Sequence, residues 1–142
     1  MAPRVVICAA ASFSETLAAS ACARALAAGI AAAAPELDVQ PHALEEPGEE
    51  PGAILCEPAA IRALVLAAPG LGGRPQPTEP AFLLASTARQ GGIPAYGVSA
   101  LREPDRFYAR MLDLQLIIPA ATRPALTRAG RRLGRILIEQ FR

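Results

Sequence analysis

Three hydroxyls stand at alternate positions, Ser12, Ser14 and Thr16, just after the strand-like run Arg4-Val5-Val6-Ile7-Cys8 and the triplet Ala9-Ala10-Ala11. At the start of a helix such hydroxyls do one of two things. They cap the first-turn amides, or together with those amides they hold a small anion. Gly70-Leu71-Gly72-Gly73 is a second candidate, because a glycine-rich turn can aim backbone amides at a phosphate. The same four residues also suit a plain turn. They form neither the dinucleotide fingerprint, since the third glycine is misplaced and Pro75, Pro77 and Pro80 delay the next helix, nor a P-loop, which ends in Gly-Lys-Ser/Thr. The candidate anion site is therefore Ser12, Ser14, Thr16, Gly70, Gly72 and Gly73, and no residue is assigned a catalytic role.

Other chemistry is narrowed by what the chain lacks. All 14 basic residues are arginine, so no lysine can clamp a phosphate or form a Schiff base. His42 is the sole histidine, which leaves no histidine pair for a metal but one group able to act as a base. Asp38, Asp105 and Asp113 are the only aspartates, and none is expected at the carboxyl end of a strand, where phosphoryl transfer would need it. Glu45, Glu46, Glu49 and Glu50 crowd a Pro/Gly-rich loop whose spacing fits no EF-hand. Cys8, Cys22 and Cys56 are odd in number, widely spaced and without a CxxC pair. They read as small core residues in a reducing compartment, and no metal site is expected.

The elements that must position these groups follow from periodicity. Strands are expected at about 4–9, 38–43, 63–68, 93–98 and 114–118. Helices are expected at about 13–34, 79–91, 103–112 and 122–141. Ser12 and Glu15 fit a capping box for the first helix. Thr122 and Pro124 fit the start of the last. Continuous apolar strands alternating with helices predict one α/β domain over residues 1–142, a Rossmann-like three-layer sandwich on a mostly parallel sheet of about five strands. Ligands in such sheets sit beyond the carboxyl ends of the strands. That places the site among residues 9–14, 67–74 and 98–102.

Charge is unevenly spread. Residues 1–57 carry two arginines against eight acids, a net of −6, and residues 58–142 carry twelve against five, a net of +7. The halves can neutralise each other within one domain or pair with a second copy. The last helix places Arg128, Arg131, Arg132 and Arg135 opposite an apolar stripe, as a solvated face or as a surface for an acidic partner. Nucleic acid is not expected as a partner, since aromatic residues do not interleave with the arginines. Nor is a membrane, since Ser20 and Arg24 interrupt the alanine-rich stretch. The N-terminus has no signal-peptide pattern, so a cytoplasmic location is expected.

The run Ala9-Ala10-Ala11-Ser12-Phe13-Ser14-Glu15-Thr16-Leu17 resembles the opening motif of the bacterial glycerate kinase family, Ala-Pro-Asp-Ser-Phe-Lys-Gly-Ser-Leu. Ala11 stands at the motif's aspartate and Ser14 at its lysine. Pro41-His42-Ala43-Leu44-Glu45-Glu46-Pro47-Gly48 is similar to the family's Pro-x-Ala-Asp-Gly-Gly-Glu-Gly, with Leu44 at the aspartate. Ala67-Ala68-Pro69-Gly70-Leu71 aligns with Thr-Gly-Glu-Gly-Arg and keeps only a glycine. The stretch 88–94 and the closing helix also look similar. The resemblance implies the family's Rossmann-like domain without its inserted lid domain. With both motif aspartates and the lysine replaced, it implies a non-catalytic binding or assembly module, at most a weak anion or nucleotide site, and no cofactor. The alternative it implies is an ATP-dependent glycerate kinase completed by another chain, using ATP and Mg. A third reading is an assembly module without any small ligand, in which a homo-oligomer or protein partner is expected.

Overall fold

The computed structural model describes residues 3–44, 54–55, 57–69, 80–100, 110 and 112–140. Five strands, β1 (Val5–Ala10), β2 (Asp38–Ala43), β3 (Ile61–Ala68), β4 (Ala95–Ser99) and β5 (Leu114–Pro119), form one sheet in the order β2-β1-β3-β4-β5. Every pairing is parallel. This is the doubly wound order of flavodoxin-type sheets. Three helices are described: α1 (Ala19–Ala33), α2 (Pro80–Gln90) and α3 (Arg123–Glu139). The α/β sandwich expected from periodicity is therefore present. The expected helix at 103–112 lies almost wholly outside the described residues.

The strands read as they do because of where they sit. β1, β3 and β4 are interior and nearly all buried, which explains their unbroken apolar runs. β2 is an edge strand and is half exposed. It can hold Pro41, whose missing amide would break an interior ladder. Between Val5 and Val6 the pairing with β3 slips from Ile61 to Ala63. Arg62 is the extra residue of that irregularity and is buried, at the amino end of the sheet. The strand expected from about residue 63 starts two residues earlier, at Ile61, after a single 3-10 turn at Pro58–Ala60.

Side chains alternate to two faces with different character. Val6, Cys8, Ala10, Ala63, Val65 and Ala67 point to the face covered by α1 and α3. Ile7, Ile61, Leu64 and Leu66 point to the face covered by α2, where Ile54, Leu55, Leu84 and Leu112 complete the core. The small side chains on the first face let the helix pair settle close to the sheet. The helices also approach each other closely. A Cβ at Gly29 would collide with the Thr127 carbonyl oxygen and stand 2.9 Å from the Arg131 amide nitrogen. A Cβ at Gly130 would collide with the Leu26 carbonyl oxygen, and one at Gly134 would come 2.9 Å from the Ala33 side chain. Backbone meets backbone at this crossing, so only glycine fits.

The helix ends follow local chemistry. Thr122 caps α3 as expected, its Oγ1 accepting from the Ala125 amide at 3.2 Å, with Pro124 in the first turn. α2 ends in a Schellman motif. The Ile93 amide donates to the Ala88 carbonyl at 2.8 Å and the Gly92 amide to Arg89 at 3.2 Å. Gly92 adopts φ +72°, which glycine accepts without strain. At the far end of α3, the buried Tyr96 hydroxyl of β4 donates to Gln140 Oε1 at 2.7 Å and ties sheet to helix.

The start of α1 departs from expectation. The helix begins at Ala19, not at residue 13, and its N-cap Ala18 makes no side-chain capping bond. Ser12 and Glu15 form no capping box. The Phe13 and Ser14 amides both donate to the Leu17 carbonyl, at 2.9 and 3.4 Å, and the Leu17 amide donates to the Ser14 carbonyl at 3.2 Å. The Cys22 thiol also donates to the Leu17 carbonyl, at 3.7 Å. Phe13 and Leu17 both pack against the core beneath α1 and α3. Burying these two side chains closes residues 13–17 into a loop, and that tertiary gain overrides the local helix signal.

Candidate functional site

In the order β2-β1-β3-β4-β5 the chain reverses direction across the sheet between β1 and β3, so the ligand crevice of such a fold lies beyond Ala10 and Ala68. The Ala11 amide donates to the Ala67 carbonyl at 2.9 Å, carrying the ladder one residue past β1. On the other side the Leu44 amide donates to the Ala10 carbonyl at 2.9 Å. Strand ends Ala9, Ala10 and Ala67 are fully buried, and Ala68 and Ala11 partly so. Among the described residues this stretch of rim carries methyl groups and backbone. It can pack against a ligand, but it has no group there to move a proton or neutralise a phosphate.

The first loop brings Ser14 and Thr16 together, their hydroxyls 3.2 Å apart and exposed. Ser12 lies one turn of chain closer to β1 and is half-buried. Two of the loop's amides, those of Phe13 and Ser14, are already spent on Leu17. Glu15, also exposed, lies between the two in sequence. The expected alternative, that the hydroxyls cap α1, does not hold, because the helix starts two residues beyond Leu17 and its N-cap Ala18 has no side-chain capping bond. Gly70, Gly72 and Gly73 lie outside the described residues, as do the Glu45–Glu50 loop, Cys56 and Asp105.

Groups that the sequence set aside stay apart from the crevice. Asp38 begins β2 and Asp113 immediately precedes β5, so both lie at the amino edge of the sheet. Asp113 holds φ 54° in the turn there. The Cys8 thiol is enclosed within β1, and burial pushes its pKa far above the ordinary thiol range, so no thiolate nucleophile forms near neutral pH. His42 is half-buried near the carboxyl end of β2, opposite Ala9 and one strand away from the crevice. Among the described residues no three His, Cys, Asp or Glu side chains converge as a metal site. Among them, too, no helix is long and apolar enough to cross a membrane.

One rim residue carries more than the sequence suggested. Ser99 closes β4 and is completely buried, and its carbonyl accepts from the Ala120 amide at 2.7 Å. Its signal in the sequence is a small polar residue ending an apolar run, which is also how an ordinary strand ends. No known family model matches the chain, and no curated protein matches it.

Proposed function

We propose that this protein is a non-catalytic, glycerate-kinase-like module that acts by binding or assembly, with at most a weak site for a small anion or nucleotide. The observation that carries this reading is the crevice between β1 and β3, whose described rim is Ala10, Ala11, Ala67 and Ala68, with Ala11 at the aspartate of the motif it resembles. Phosphoryl transfer works almost wholly by positioning and electrostatic stabilisation, and methyl groups supply neither charge nor a proton acceptor. A sheet of this kind can still act as a rigid platform, since binding to the folded state alone needs shape and a few polar contacts. Among the described residues Cys8 and Cys22 are buried free thiols, which supports a reducing setting.

A thermal-shift screen with nucleotides, phosphate, glycerate and related acids tests the proposal, with each ligand recovered and its mass measured afterwards. A ligand that prefers the folded state raises the midpoint by mass action. The expected result is a saturable rise with the ligand recovered unchanged. Recovery of a phosphorylated product overturns the non-catalytic reading. A midpoint unmoved by every ligand, with a monomeric mass at both low and high salt, removes the binding and assembly reading as well.

A further inference from the structure

We infer that a groove between α1 and α3, separate from the β1/β3 crevice, is an oxyanion site that takes a phosphate ion or a small phosphate monoester. The groove has a volume of about 260 Å³ and is lined by Ala21, Arg24 and Ala25 of α1 and by Arg123 and Thr127 of α3. Its position follows from the glycine crossing. The helices touch at Gly29 and Gly130, and the lining residues lie one to two turns before that contact on each helix. Two arginines from different helices thus line one small concavity, and no carboxylate-bearing residue lines it.

The surrounding charge sharpens the case. Neither α1 nor α3 has an acid in its first turn, and the one acid of either helix is Glu139, at the opposite end of α3. Arg123 is a cation at the positive end of a helix, an unfavourable placement by itself. Among the described residues neither Arg24 nor Arg123 has an ion-pair partner. A bound oxyanion would offset the positive charge that the two arginines bring to the groove and complement the helix end in one step. Guanidinium groups suit this ligand because their planar N–H pairs match the spacing of phosphate oxygens. The size of the groove favours a phosphate carrying a few carbons over a whole nucleotide.

The test is a calorimetric titration of the full chain with inorganic phosphate and with ethyl phosphate, at constant ionic strength set with sodium chloride. Saturable binding is expected for at least one of the two. Arg24→Gln and Arg123→Gln should each weaken it at least tenfold, the range for one charge-assisted contact. Both arginines are exposed, so the variants should keep the wild-type circular dichroism and unfolding midpoint. The double variant Ser14→Ala/Thr16→Ala should bind as the wild type does. Absence of saturable binding, or binding unchanged in both arginine variants, overturns the inference. Loss of binding in the Ser14/Thr16 variant alone also overturns it and moves the site to the first loop. None of these outcomes depends on turnover, so this site stands or fails apart from the non-catalytic reading.

Discussion

The α1/α3 face of the sheet and its carboxyl rim are built from the same small residues to different ends. On the face, Gly29, Gly130 and Gly134, with alanines on α1 and on the strands, let backbone approach backbone. On the rim, among the described residues, Ala10, Ala11, Ala67 and Ala68 bring no charge to the crevice. The charge lies instead on the outer surface of the helix pair, where Arg24, Arg123, Arg128, Arg131, Arg132 and Arg135 are all exposed. Alanine therefore has no single meaning in this chain. It is a packing requirement where two elements touch, and at the rim it is a side chain without ionisable chemistry. The contrast also predicts how each region fails, by enlargement on the helix face and by truncation on the α2 face.

The largest effect should come from closing the helix crossing. Gly29→Val places a side chain against the Thr127 carbonyl and the Arg131 amide, and backbone cannot move aside as a side chain can. A loss of more than about 4 kcal/mol in urea unfolding is expected, enough to unfold a marginal domain. If Gly29→Val unfolds like the wild type, the crossing is not as close as described. Opposite behaviour is expected across the sheet. Leu64→Ala removes a fully buried side chain from the α2 face and should cost about 3 kcal/mol through lost burial and the cavity left behind.

Alkaline pH probes the same contrast inside β1. Burial raises the Cys8 thiol, so the native state keeps a proton that the unfolded chain releases above about pH 8.5. Stability from this group is fully present below that pH and declines above it, by up to about 1.4 kcal/mol per pH unit. Cys8→Ala should flatten the decline between about pH 8.5 and 10. An unchanged slope in that variant would show that the thiol is not sealed in the core. The smallest differences separate the two helix starts. Thr122→Ala removes an observed cap and should cost about 1 kcal/mol. Glu15→Ala should change stability by less than about 0.5 kcal/mol, because Glu15 is exposed and caps nothing. Equal losses in the two variants would restore the capping box.

Much of the sheet was legible because burial on both faces writes itself as an apolar run. β2 matches its expected bounds, Asp38–Ala43, and α3 starts at the cap that Thr122 and Pro124 announce. The start of α1 was not legible. Ser12 and Glu15 carry a sound local signal, and only the burial of Phe13 and Leu17 against distant residues overrules it. Gly130 and Gly134 look like weak points of an arginine-rich helix until α1 is laid beside them. For the same reason Arg24 and Arg123, far apart in sequence, gave no hint of sharing a groove. At the rim, the absence of charge at Ala11 could be read directly, since an uncharged side chain needs no partner to be seen. Which residues gather around a groove depends on tertiary juxtaposition, which local spacing does not encode.

The central proposal is that the crevice between β1 and β3 does not catalyse phosphoryl transfer. The most direct test incubates the purified chain with ATP, Mg and glycerate and follows transfer of labelled phosphate. No turnover above the protein-free background is expected, in the wild type and in Ser12→Ala alike. Turnover above background that disappears in Ser12→Ala would contradict the account, by showing that the first loop still works as part of an active site.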